Sequence, residues 1–87
     1  NQIQVDIFNA KNQLQMAEQV IGLTQKELSL SQKIEHAENI KYNHGDSNLF
    51  QLNLREQTTA ETHMRLIQVI AEYYKAQAAY DYALGRD

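Results

Sequence analysis

Apolar side chains recur along this chain in alternating steps of three and four. In the first half one seam runs Ile3, Ile7, Ala10, Leu14, Ala17, Ile21, Thr24, Leu28, and a second runs Met16, Val20, Leu23, Glu27, Leu30, Ile34, Ala37. In the second half one seam runs Leu49, Leu52, Glu56, Thr59, His63, Leu66, Ile70, Tyr73, Gln77, Tyr80, Leu84, and another runs Ala60, Met64, Ile67, Ala71, Tyr74, Ala78. Such spacing returns a side chain to one helical face every heptad, and when sustained it predicts left-handed coiled-coil packing. The pattern places helix 1 over about residues 2–42 and helix 2 over about 47–84. At about 1.5 Å per residue each is roughly 60 Å long.

The interruption is Tyr42-Asn43-His44-Gly45-Asp46-Ser47, with the tip at about 43–47. Gly45 can take the left-handed conformation that closes a helix. Asp46 or Ser47 can then accept the backbone donors left open where the next helix starts. Gly85, in Leu84-Gly85-Arg86-Asp87, falls just past the last turn. Helices joined by so short a turn lie antiparallel. The fold class that follows is all-α: two long antiparallel helices forming one coiled-coil hairpin over residues 1–87.

If the turn centres on Gly45, residues at equal height have numbers summing to about 90. The second seam of helix 1 then meets the first seam of helix 2. Ala37 faces Leu52, Leu30 faces Thr59, Leu23 faces Leu66, Val20 faces Ile70 and Met16 faces Tyr73. Ile34 falls opposite Glu56, and Glu27 opposite His63, so polar residues gather toward the turn. One apolar seam on each helix is left without a partner in the chain. Exposed stripes of that length predict other helices over them, hence self-association into a bundle, or a ring of helices in a larger protein.

Composition changes this picture little. Proline and cysteine are absent, which excludes disulfides and thiolate metal sites. The residues that dominate, Ala, Leu, Gln, Glu and Lys, are good helix formers. A net charge of −3 with acids and bases interspersed offers no basic block for nucleic acid. No run of about 18 apolar residues exists to span a bilayer as a helix. Asn1 opens directly into helical pattern, which reads as a segment of a longer chain.

Candidate chemistry is sparse. Glu27 and His63 are the best candidates for a buried polar layer, one that fixes register at some cost in stability rather than a proton or metal site. Glu35 pairs in height with Arg55, a half-exposed ion pair contributing about 0–1 kcal/mol. His44 stands at the turn. No two histidines share the spacing that puts two ligands on one helical face, so a zinc site within one chain is not expected. Tyr73, Tyr74 and Tyr80 lie on seams, where aromatic residues pack, and Tyr82 points outward. No nucleophile motif or glycine-rich phosphate loop is present, and neither an enzyme nor a cofactor is expected.

At the turn the residues resemble a family. The stretch Ala37-x-x-x-Lys41-Tyr42-x-x-Gly45-x-x-Asn48-Leu49-x-x-Leu52, followed by a helix closing on Tyr80-x-x-Ala83-Leu84-Gly85, resembles TolC-type outer membrane efflux proteins. Their repeat reads Ala, then Arg-Tyr-x-x-Gly-x-x-Ser, then a Leu-rich helical turn, ending in spaced alanines and Leu-Gly. The resemblance covers about residues 37–85, with Lys41, Asn48 and Gln51 as departures where the family has Arg, Ser or Thr, and Asp. It implies a periplasmic helical hairpin of a homotrimeric channel in a Gram-negative outer membrane. Such hairpins form the tunnel wall against neighbouring helices of the same channel and dock by their tips onto the hairpin of a periplasmic adaptor in a tripartite export system. The docking residues would be Tyr42, Asn43, His44, Gly45, Asp46, Ser47 and Asn48.

Two other readings keep the same helices. A coiled-coil arm of an adaptor protein would be flanked by lipoyl-like β segments. A stand-alone dimeric helical bundle would act as a scaffold or regulator. β-strand segments and a second similar repeat in flanking sequence would point to the channel instead.

Overall fold

A computed structural model describes residues 1–85. It consists of α1 (Gln2–Asn43) and α2 (Leu49–Ala83), which pack against each other as an antiparallel hairpin, with no strand among the described residues. Within that hairpin the packing falls into two compact units. The base unit comprises Asn1–Leu23 and the described residues from Ile67 onward, and the tip unit is Thr24–Leu66.

Both helices start and stop on local chemistry. The Asn1 side-chain oxygen accepts the Gln4 amide at 3.0 Å, an N-cap on α1. At the other end of α1, Gly45 has φ +79°. Its amide donates to Tyr42 O at 3.1 Å, and the Asp46 amide donates to Lys41 O at 2.8 Å. Those two bonds make a Schellman motif, which satisfies carbonyls the helix leaves open. Gly85, at φ +80°, donates to Tyr82 O after α2 in the same left-handed way. The cap of α2 differs from expectation. Asn48 Oδ1 accepts the Gln51 amide at 2.8 Å, so Asn48 is the N-cap and α2 begins at Leu49 rather than Ser47. The Ser47 hydroxyl is occupied elsewhere, as shown below.

In the base unit α1 covers Ile7, Ala10, Leu14, Ala17 and Ile21, with Ala10 and Leu14 the most buried. From α2 and the residue after it the half-buried positions are Val69, Ile70, Tyr73, Ala76, Gln77, Tyr80, Asp81, Ala83 and Leu84. Here the seam predicted for α2 is the one covered. Tyr73 and Tyr74 meet edge to face at 5.5 Å between centroids, Tyr73 half-buried and Tyr74 exposed.

In the tip unit the covered side of α1 is Thr24, Leu28, Ser31, Glu35, Glu38 and Tyr42. On α2 it is Gln51, Leu52, Arg55, Thr59, Thr62 and Leu66. The Thr59 hydroxyl lies 3.1 Å from Arg55 O of its own helix and 3.2 Å from Ser31 O of α1, and the second contact marks the helices' relative height. That height agrees with the register centred on Gly45.

The face of α1 does not agree. The seam expected to meet α2 points outward: Met16 is 63% exposed, Leu23 60% and Leu30 58%, and Val20, Ile34 and Ala37 are exposed too. The covered seam is the one beginning Ile7-Ala10-Leu14. Two physical reasons favour it. Its Ala10, Ala17 and Ser31 are small, which lets two backbones approach. In the tip unit the turn dictates the face, because the chain leaving Gly45 brings Ser47 back over Glu38. The seam through Glu38 that is covered runs back through Glu35, Ser31, Leu28 and Thr24, and Leu30 and Ile34 lie outside it. On α2 the same constraint replaces Glu56 and His63 with their neighbours Arg55 and Thr62.

Candidate functional site at the tip of the hairpin

The turn residues sit on a polar cluster built around one carboxylate. Glu38, on the covered face of α1 one turn before Tyr42, is 9% exposed. Its Oε2 accepts the Ser47 hydroxyl at 2.6 Å, and its Oε1 accepts Arg55 Nε at 3.2 Å. One side chain of α1 therefore holds the turn and the second turn of α2 together. The Ser47 hydrogen bond, then that of Arg55, with the charges of Lys41 and Arg55 adding, outweigh burial and hold the Glu38 carboxyl below its ordinary 4.5. Arg55 was expected to face Glu35. It pairs instead with Glu38 one turn farther along, because Ser47 already draws that carboxylate inward.

Around this cluster the predicted docking residues divide. Tyr42 and Ser47 are half-buried and face inward. Asn43, His44, Gly45, Asp46 and Asn48 are exposed. His44 Nδ1 lies 2.8 Å from Ile40 O; a carbonyl only accepts, so Nδ1 carries a proton in this arrangement. The ring thereby supplements the end of α1. A Cβ placed on Gly45 would meet nothing within 4 Å. Its glycine is required by the left-handed backbone and not by crowding within the chain.

The tip also carries two apolar residues beyond the predicted docking set. Leu49 and Phe50, directly after the cap, are 56% and 72% exposed. Leu49 lies on the seam predicted for helix 2 and is nevertheless exposed, and Phe50 lies on neither predicted seam. Glu38 could have been found by carrying the Ile7 seam past Leu28 in steps of three and four, whereas Arg55 lies on neither predicted seam of α2.

Glu27 and His63 do not form a buried layer. Both are exposed, and Glu27 pairs with Arg65 of α2 on the surface. The face shift described above moves both out of the seam. In the base unit two open grooves run beside the alanines. One is lined by Gln13, Ala17, Glu72, Lys75, Ala76 and Ala79, and its two charges pair with each other at 3.3 Å. The other, lined by Ile3, Asp6, Ala10, Ala79, Tyr82 and Ala83, has one charged residue. Among the described residues there is no cluster of three metal-ligating side chains, and no helix is long and apolar enough to cross a membrane. Comparison with protein-family models, with curated proteins and with solved structures found no match.

Proposed function

We propose that this hairpin is a wall element of an oligomeric helical channel: the periplasmic hairpin of a TolC-type outer membrane efflux protein. In this reading its tip docks onto the hairpin of a periplasmic adaptor. The observation that supports it most is the second apolar seam on each helix. Met16, Val20, Leu23, Leu30 and Ile34 on α1, and Met64, Ile67 and Tyr74 on α2, are exposed, while another face of the same helix is covered. A helix in a closed wall needs a neighbour on each side, and an isolated hairpin has no use for two apolar faces. The turn offers a partner exposed hydrogen-bonding groups on His44, Asp46 and Asn48, beside an open backbone at Gly45.

The test is made in a full-length channel carrying this hairpin, with two substitutions compared. Gly45→Val strains the left-handed turn, whereas Gly45→Asn tolerates it and adds only bulk. Docking through the tip predicts that both abolish crosslinking to the adaptor and export. If Gly45→Asn leaves both unchanged, the glycine serves the turn alone and the docking surface is elsewhere.

A further inference from the structure

Next to the turn the two helices are held by one charged group more than by aliphatic contact. The covered positions nearest the turn are Ser31, Glu35, Glu38 and Tyr42 on α1, and Gln51, Leu52, Arg55 and Thr59 on α2. Of these, Leu52 alone is aliphatic. Glu38 is the single side chain here that bonds to both the turn and α2. We infer that the Glu38 carboxylate is a conformational latch, which while ionised ties the turn and the start of α2 to α1, and when neutralised releases residues 46–52 while both helices persist.

The charged groups around it fix the direction of the response. Arg55 approaches from α2, Lys41 lies one turn on along α1, and both favour the ionised form. Glu35 lies one turn earlier on the same face, His44 directs its ring to Ile40 O, and Asp46 is exposed at the turn. A carboxyl whose pKa is lower in the folded state stabilises that state above its unfolded value. That stabilisation is lost as pH falls through the folded value, so the latch is closed at neutral pH and opens below about 4.5. The Schellman bonds of Gly45 and Asp46 belong to the backbone and do not titrate, so they are the competing explanation for an ordered tip.

Residue-resolved amide hydrogen exchange on the full chain separates the two. The reporters are the amides of Gln51 and Leu52, bonded to Asn48 Oδ1 and Asn48 O. Glu38→Gln is expected to lower their protection roughly tenfold at neutral pH, with amides of the base unit unchanged. Ser47→Ala, which removes only the turn's bond, is expected to give a smaller loss at the same two amides. In the wild type the same protection should fall as pH drops below about 4.5, and in Glu38→Gln that pH dependence should vanish. Unchanged reporters in Glu38→Gln would mean the backbone turn alone orders the tip. An equal loss at every amide of the chain would mean that Glu38 contributes only to overall stability. Either result overturns the latch, as does a wild-type tip indifferent to pH.

Discussion

The base and tip units use the same heptad spacing and fill it with different chemistry. In the base unit the covered positions are mostly apolar, Ile7, Ala10, Leu14, Ala17 and Ile21 on α1 and Val69, Ile70, Tyr73, Ala76 and Tyr80 on α2, with Gln77 and Asp81 half-buried and bonded to each other. In the tip unit the most buried side chains are Thr24 at 3%, Thr62 at 5% and Glu38 at 9% exposed. Among the described residues no buried side-chain polar atom is without a hydrogen-bond partner, so the polar seam is satisfied rather than defective. Apolar contact holds a helix pair without fixing its register, because one methyl group packs much like another. Directed bonds such as Thr59 to Ser31 O and Arg55 to Glu38 are lost on slipping by one turn. The base unit therefore supplies most of the stability and the tip unit specifies the alignment.

Substitutions can break that division, and the largest effect belongs in the base. Leu14→Ala is expected to cost about 2 kcal/mol, read as a lowered urea midpoint, because it leaves a void in the apolar seam. Gly45→Val, at φ +79°, should cost about 1–2 kcal/mol by forcing a β-branched residue into left-handed backbone. Gly45→Asn should cost clearly less in the same melt. Asn48→Ala removes the cap of α2 and should cost about 1 kcal/mol, with lost helical circular dichroism as the readout. The smallest change is expected of Arg65→Ala. Its ion pair with Glu27 joins two side chains that are each about half exposed, and its loss should move stability by less than about 0.5 kcal/mol, an effect that shrinks further as salt is added. A larger loss there would give the surface of the tip unit a share of stability that the comparison assigns to the base.

The sequence was legible for the elements, the turn and the register, and misleading for the face. Two helices, Gly45 in the left-handed region and a height register centred on the turn all follow from periodicity and glycine placement. What failed was the choice between two seams on α1. Ranking by apolar bulk favours Met16, Leu23, Leu30 and Ile34, all of them exposed. The covered seam contains small and polar residues, and its claim rests on Glu38 meeting Ser47 and Arg55, a long-range relation that no local pattern displays. The same blindness placed Glu27 and His63 in a core layer. Exchanging the seams leaves one inference intact: each helix still has one apolar seam facing outward.

That surviving inference is the central claim, and sedimentation with circular dichroism over a concentration series tests it most directly. If the outward seams are interfaces, the chain is a dimer or larger species at high concentration and loses helix on dilution as those seams are uncovered. A fully helical monomer at every concentration would contradict the account. It would show that the hairpin needs no neighbours, and it would remove the main support for a channel wall.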